Sequence, residues 1–393
     1  MTRGRASIVA ITVFVAVLSV CPCVLAQETV SDVVAFLVTN QAVVTADFNK
    51  DLAAAEAARA TISRALLIDL TSVPLATASS GFLYRLNPQL GTVERATESF
   101  GGFFVERALT AGRGRASFGV SATTLDFHRL NGRSLTDGTF VTVANRFRDE
   151  ATPFDTESLT LHIRSSTMTL FGSVGVTDRI EIGAAVPLVR LTLDGQRINV
   201  YRGTTFLQAS GTANASGVAD IAIRAKVTAL ALRGGGVAVA GEVRLPTGDP
   251  LNLLGTGSTS IRVMGIGSLE RGPVAFHGNA AIVDGGVSSE IDFGGAMSVA
   301  VHPRVTVSGE VLTRHVSELH DIDLLSAPHP TIAGVDTLRL SAGQNGALLA
   351  SAVAGVKWNV TRTMVIGGHV TWALVDKGLT APLTPTLAFE YSF

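Results

Sequence analysis

Ten charged residues recur at alternating positions in the C-terminal two thirds of this chain: Arg164, Arg224, Lys226, Glu242, Arg244, Arg262, Asp292, Glu310, Arg314 and Glu390. His277 and His369 sit in the same kind of setting, with apolar or small residues on either side. Six cations and four anions can pair with one another or orient a polar solute, but they make no bond-breaking constellation. The chain has no G-x-S-x-G elbow, and Gly255-Thr256-Gly257 lacks the lysine of a phosphate-binding loop. His315, His320, Asp321, Asp323 and His329 fall within one predicted outer loop, with spacing too unspecific for a metal site. His128 is the histidine placed to suggest a lipase in a barrel wall, but no serine is marked out beside it. The expectation is therefore a protein that is not an enzyme and needs no metal or cofactor.

The elements that must position these charges are strands, because the pattern around them has a period of two. In 305–312, Val305, Val307, Gly309 and Val311 face one way, and Thr306, Ser308, Glu310 and Leu312 face the other. In 220–228, Ile221, Ile223 and Val227 oppose Asp220, Arg224, Lys226 and Thr228. The chain ends in the same alternation, with Phe389, Tyr391 and the terminal Phe393 on one face. Such a final strand is typical of an outer-membrane β-barrel, where it serves as the C-terminal assembly signal read by the barrel-assembly machinery.

The start of the chain agrees. Arg3 and Arg5 precede an uncharged apolar run, Ile8–Val20, and Val24-Leu25-Ala26 offers a small residue for cleavage. This reads as a secretory signal peptide over 1–26, too short to span a membrane. Both cysteines, Cys21 and Cys23, lie inside it, so the mature chain is expected to have no disulfide. Removing the leader leaves 29 basic against 32 acidic residues, a balance that argues against a nucleic-acid partner. Composition adds that 47% of residues are hydrophobic and only 16% charged, with 40 glycines, yet no long apolar run follows the leader. In lipid every backbone polar group must be paired internally, so diffuse hydrophobicity without spanning helices favours a closed barrel.

Residues 27–112 read as a mainly helical segment: Val30, Val33, Val34 and Leu37 form an apolar stripe, and Asp51–Ala65 is alanine-rich. Pro74, Pro88 and Gly91 end it, and Phe100-Gly101-Gly102-Phe103-Phe104 follows. It could be a plug, a periplasmic extension or an arm on the rim. Residues 113–393 read as an antiparallel transmembrane β-barrel of about twelve strands, all-β in class. Short turns at 176–179, 233–236, 271–273, 302–304 and 359–362 alternate with longer connections, apart from one short link around 284–289. Twelve strands with this alternation put both barrel ends in the periplasm. Because a charge at the lipid midplane costs ~2–4 kcal/mol, the ten charges and two histidines are expected to line the lumen. Trp372, Tyr391 and Phe393 are the candidate interface aromatics.

Three stretches carry a family resemblance. They are Glu106–Arg115, Val176–Gly183 with Val186-Pro187-Leu188, and Arg244-Leu245-Pro246-Thr247-Gly248-Asp249 with Asn252–Gly257. In this order they resemble the outer-membrane family named for the MetA-pathway of phenol degradation, over roughly 100–393. The resemblance implies a transporter-like barrel that admits small molecules, hydrophobic or aromatic ones among them, and it assigns no functional residues. The function expected is passive passage of a small solute through a barrel set in outer-membrane lipid. The alternative is a non-conducting structural or surface-interaction barrel.

Overall fold

The computed structural model describes residues 28–38, 59–60, 62–69, 84–87, 92–95 and 97–393, apart from 233, 330, 344 and 362. Twelve strands close into an antiparallel barrel. They are β1 (Ala116–Phe127), β2 (Asp155–Gly175), β3 (Ile180–Tyr201), β4 (Ile221–Leu232), β5 (Gly235–Leu245) and β6 (Ser260–Arg271), then β7 (Val274–Gly285), β8 (Glu290–His302), β9 (Val305–Val316), β10 (Ala347–Thr361), β11 (Met364–Ala373) and β12 (Thr384–Ser392). Each pairs with its neighbours in sequence, and β12 returns to β1 through Ser392↔Ser117, Tyr391↔Phe118 and Thr386↔Thr123. Closure leaves no unpaired edge, which is what allows strands to cross lipid.

The alternation places small and polar groups inside and apolar groups outside. Val239, Ile261, Val263, Phe276, Phe293 and Val311 are all about half exposed on the outer face. At the short-turn end Phe118, Tyr391 and Phe393 form an outward aromatic cluster with ring centroids 5.6–6.3 Å apart. Trp358 stands outward near the same end and Trp372 near the other, so the aromatic girdle is thin but present at both.

The long-loop end departs from expectation. The connection read as a loop over 194–217 continues as strand: β3 runs to Tyr201, turns through Arg202 and Gly203 at positive φ, and returns as Thr204–Val218. Small, alternating residues there permit an extended hairpin as well as a loop. Phe140–Phe147, Val335–Ala342 and Ile322–Pro328 add three further strands beside the top of β2, so the outer loops form a sheet rising beyond the barrel. The change of parity in β1 is also explained. Phe118, Val120 and Ala122 face outward, while Leu125 and Phe127 face inward onto an apolar core at the long-loop end.

That core is made largely by the N-terminal segment. Helix α1 (Val30–Val38) lies on β3 and the returning strand Thr204–Val218 and buries Val30, Val33, Val34 and Leu37 in one core with Leu159, Leu161, Leu191 and Leu193. Thr29 caps it: its Oγ1 accepts from the Asp32 N–H at 3.1 Å, and the Asp32 carboxylate accepts from the Thr29 N–H at 3.2 Å. A second helix over 62–69 buries Ile62, Ala65, Leu66 and Ile68 in the same core. The expected helix Asp51–Ala65 lies largely outside the described residues, and its last residues belong to this one. The segment is not helical throughout, since Tyr84–Asn87 pairs with Thr92–Arg95 as a hairpin and 97–111 has no regular structure.

Candidate functional site

The lumen holds three layers. The layer nearest the short turns is the segment 97–111, which crosses the barrel and is gripped by wall side chains through its backbone. The Phe100 N–H donates to Thr306 Oγ1 at 3.0 Å, and Lys357 Nζ donates to the carbonyls of Gly101, at 2.8 Å, and Gly102. The Glu310 carboxylate accepts three successive N–H groups, from Phe103, Phe104 at 3.0 Å and Val105 at 2.9 Å. Lys226 Nζ reaches the carbonyls of Arg107 and Leu109, at 3.3 and 3.2 Å, and Thr228 donates to the Ala108 carbonyl at 2.7 Å. The Ala108 N–H donates to Ser268 Oγ at 2.9 Å, and that hydroxyl stands 3.0 Å from His277 Nδ1. Ser268 thus links the strap backbone to the His277 ring. The Ala111 N–H donates to Glu181 at 3.0 Å, and Glu106 forms a buried ion pair with Arg224.

Phe103 is the anchor of the strap. Its ring lies 4.7 Å beneath Lys357 Nζ and 4.4 Å from the His369 ring, which also touches Phe104 at 5.3 Å. Neither His369 nitrogen has a hydrogen-bond partner among the described residues, so the imidazole acts here as a flat surface. Gly355 makes room for the ring: a Cβ there would fall 2.6 Å from Phe103 Cε2.

The middle layer is a chamber of about 290 Å³. One wall is a ladder of alternating charge in direct register, Arg224 opposite Glu242 and Glu242 opposite Arg262, followed by Asp292 opposite Arg314. Arg244 pairs with Glu242 at 2.7 Å, Arg262 with Asp292 at 2.6 Å, and Arg314 with Glu290 at 3.6 Å. The wall on the other side of the ring is a row of hydroxyls, Thr386 opposite Thr123 opposite Thr167, with Thr371 on β11. The outermost layer is the helical core. The loop after β5 braces it, because the Ser31 N–H donates to the Leu251 carbonyl and the Val30 N–H to Asn252. Asp220 shapes that loop by accepting the N–H groups of Gly248, at 3.0 Å, and Thr256, at 2.8 Å. The Pro-Thr-Gly-Asp stretch thus helps hold the mouth.

Eleven of the twelve expected lumen residues face inward. Arg224, Lys226, Glu242, His277, Asp292, Glu310, His369 and Glu390 are buried, and Arg244, Arg262 and Arg314 line the chamber. Arg164 is the correction: it stands on the outward parity of β2, exposed, with its guanidinium 2.6 Å from Asp126. At that height the inward positions are Leu161, Ile163 and Ser165, facing the helical core, so polarity no longer marks the inside. Phe389, Tyr391 and Phe393 share the outward parity of β12. Sequence reading missed Lys357, Glu181 and Glu290, although Lys357 alternates with Val353 and Gly355 on the inward face. Asp69 and Glu106 carried no signal, because nothing in the sequence placed their segment inside the barrel.

The loop histidines have separate tasks. His329 Nδ1 faces the Thr331 and Ile332 N–H groups at 3.2 and 3.1 Å, and Asp321 pairs with Lys377 at 2.6 Å. Among the described residues no three His, Cys, Asp or Glu side chains converge as metal ligands. His128 is exposed at the top of β1.

No family model matches the chain, and no curated protein does. The MetA-pathway resemblance therefore rests on the quoted residues alone. Among solved structures, the chain is similar to a COG4313 outer membrane channel from Pseudomonas putida F1, at 12% identity and a TM-score of 0.45, covering 72% of this chain and 96% of that one. It is also similar to OprB of Pseudomonas putida, at 8% identity and a TM-score of 0.27, covering 72% and 93%. The CymD monoaromatic hydrocarbon channel matches at 7% identity and a TM-score of 0.27, covering 72% and 89%. Likeness of this size carries no argument about function.

Proposed function

We propose that this protein is an outer-membrane channel for passive, diffusion-driven passage of small molecules, with residues 27–112 acting as its plug. One observation carries the reading: the wall holds 97–111 through exchangeable hydrogen bonds to backbone and through ion pairs, not through a continuous apolar core. Water or a solute can replace such bonds one for one, at a net cost of about 1 kcal/mol each, whereas a fused core cannot open piecemeal. The outward apolar band and the aromatic ends support placement in outer-membrane lipid, with the short turns in the periplasm. The C-terminal aromatic strand supports recognition by the assembly machinery. Leu125, Phe127 and Met264 beside the chamber support entry of solutes with an apolar or aromatic part.

The rival reading, a non-conducting structural barrel, is favoured by the occupation of both lumen ends by the chain itself. Single-channel conductance in planar bilayers separates the two, comparing 27–393, the same chain with Glu310→Gln, and a chain starting at 113. Steady or intermittent conductance in the full chain, raised by Glu310→Gln, supports the plugged channel. Silence from all three, with strand content intact, establishes the structural barrel.

A further inference from the structure

The chamber between strap and helices has features that select a class of occupant. Each arginine of the ladder pairs with its own carboxylate, Lys377 pairs with Asp321, and burial favours the neutral form of Asp69, so a net charge on a ligand would lose its water without gaining a full opposite charge. Several buried polar atoms nevertheless have no partner among the described residues: Thr167 Oγ1, Thr371 Oγ1, Thr380 Oγ1, Arg262 Nε, Asp292 Oδ1 and Asp69 Oδ2. All six residues line the same cavity. Thr167, Thr380 and Asp292 are each more than nine-tenths buried. The set mixes an obligate donor, two carboxylate acceptors and three hydroxyls that do either, and the groups that satisfy such a mixture are hydroxyls, which donate and accept at once. The size is also limiting. A cavity of about 150 Å³ holds one benzene ring, so about 290 Å³ holds a single substituted ring or an open chain of similar bulk.

We propose that the chamber is a binding site for a neutral, polyhydroxylated solute of about one sugar ring. The solute is held between the threonine row of β12, β1 and β2 and the charge ladder that runs from β4 to β9. The inference rests on the channel reading for its biological sense but is tested apart from it. Binding of myo-inositol, D-glucose, glucosamine, gluconate and phenol to the detergent-solubilised mature chain is measured by calorimetry. Each is repeated on the T167V/T371V double variant, which removes two hydroxyls at constant shape. The expected result is saturable binding of inositol or glucose, weaker by about tenfold or more in the variant. Glucosamine and gluconate are expected to bind at least about tenfold less tightly than glucose.

Phenol binding without either polyol would overturn the proposal. So would tighter binding of a charged analogue, polyol affinity unchanged in the variant, or saturable binding of none of them. Liposome swelling with the same polyols reads the channel separately. Binding without flux retires the channel and keeps the site, and flux without binding does the reverse.

Discussion

Glu310 is the clearest case of one residue organising its surroundings. A carboxylate facing three consecutive N–H groups makes charge-assisted bonds worth ~1.5–3 kcal/mol each when buried, and Lys357 neutralises it from the carbonyl side of the same turn. Glu310→Gln keeps the shape but turns an amide toward those donors. In single-channel recordings the open fraction should rise about tenfold or more, and residues 97–111 should become cleavable by added protease. An unchanged channel would mean that the strap is held elsewhere.

Asp69 supplies the pH dependence. Burial beside the chamber pushes its carboxyl up to about 7, with the Arg314 cation pulling the other way. A released helix would return it to the ordinary value of 3.8. The docked state therefore binds the extra proton: docking is strongest below 3.8 and weakens as pH rises through about 7, by up to ~1.4 kcal/mol per unit. Conductance should climb from pH 4 to pH 8 in the native chain, and Asp69→Asn should flatten the climb.

At the scale of elements, each strand answers to two solvents at once. Val239, at the middle of β5, is half exposed on the outer face. Val239→Arg should cost ~2–4 kcal/mol in urea unfolding from lipid vesicles, whereas a cation at the neighbouring inward positions already exists in Arg224 and Arg262. Helix α1 depends on the strands beneath it. A Cβ at Gly195 would fall 2.4 Å from Leu37 Cδ1 and 2.7 Å from Leu161 Cδ2. Gly195→Val should therefore lift α1 from β3 and expose Leu37, whose burial is worth ~1.5–3 kcal/mol. Limited proteolysis should then cut near 30–38 in the variant and leave the native chain intact at the same dose.

The whole molecule joins a membrane wall to an interior of its own making. A twelve-strand ring is wide enough to admit chain, and here the chain fills both ends: apolar helices under the sheet of long loops, and a hydrogen-bonded strap above the short turns. The two fillings differ in kind. Apolar burial at the mouth gives a tight lid whose opening exposes a core, while the strap can exchange its bonds for water. Opening is therefore expected to start at the short-turn end, and protease accessibility of 97–111 should precede that of 30–38 as urea is raised at constant pH.

The sequence alone determined the barrel. Period-two alternation in strands such as Val305–Thr313, short turns on one side, and a final aromatic strand follow from local rules that lipid enforces at every position. It also determined the inward facing of eleven charged or histidine residues, because a polar side chain has one affordable direction in a lipid-facing strand. It failed at Arg164, which stands level with the helical core, where the inside turns apolar. Only the tertiary structure decided that the lumen charges hold a strap, that Phe103 needs Gly355, and that Asp69 and Glu106 reach the interior. Those facts depend on where a segment far away in the chain comes to rest, and no periodicity within the segment records its destination.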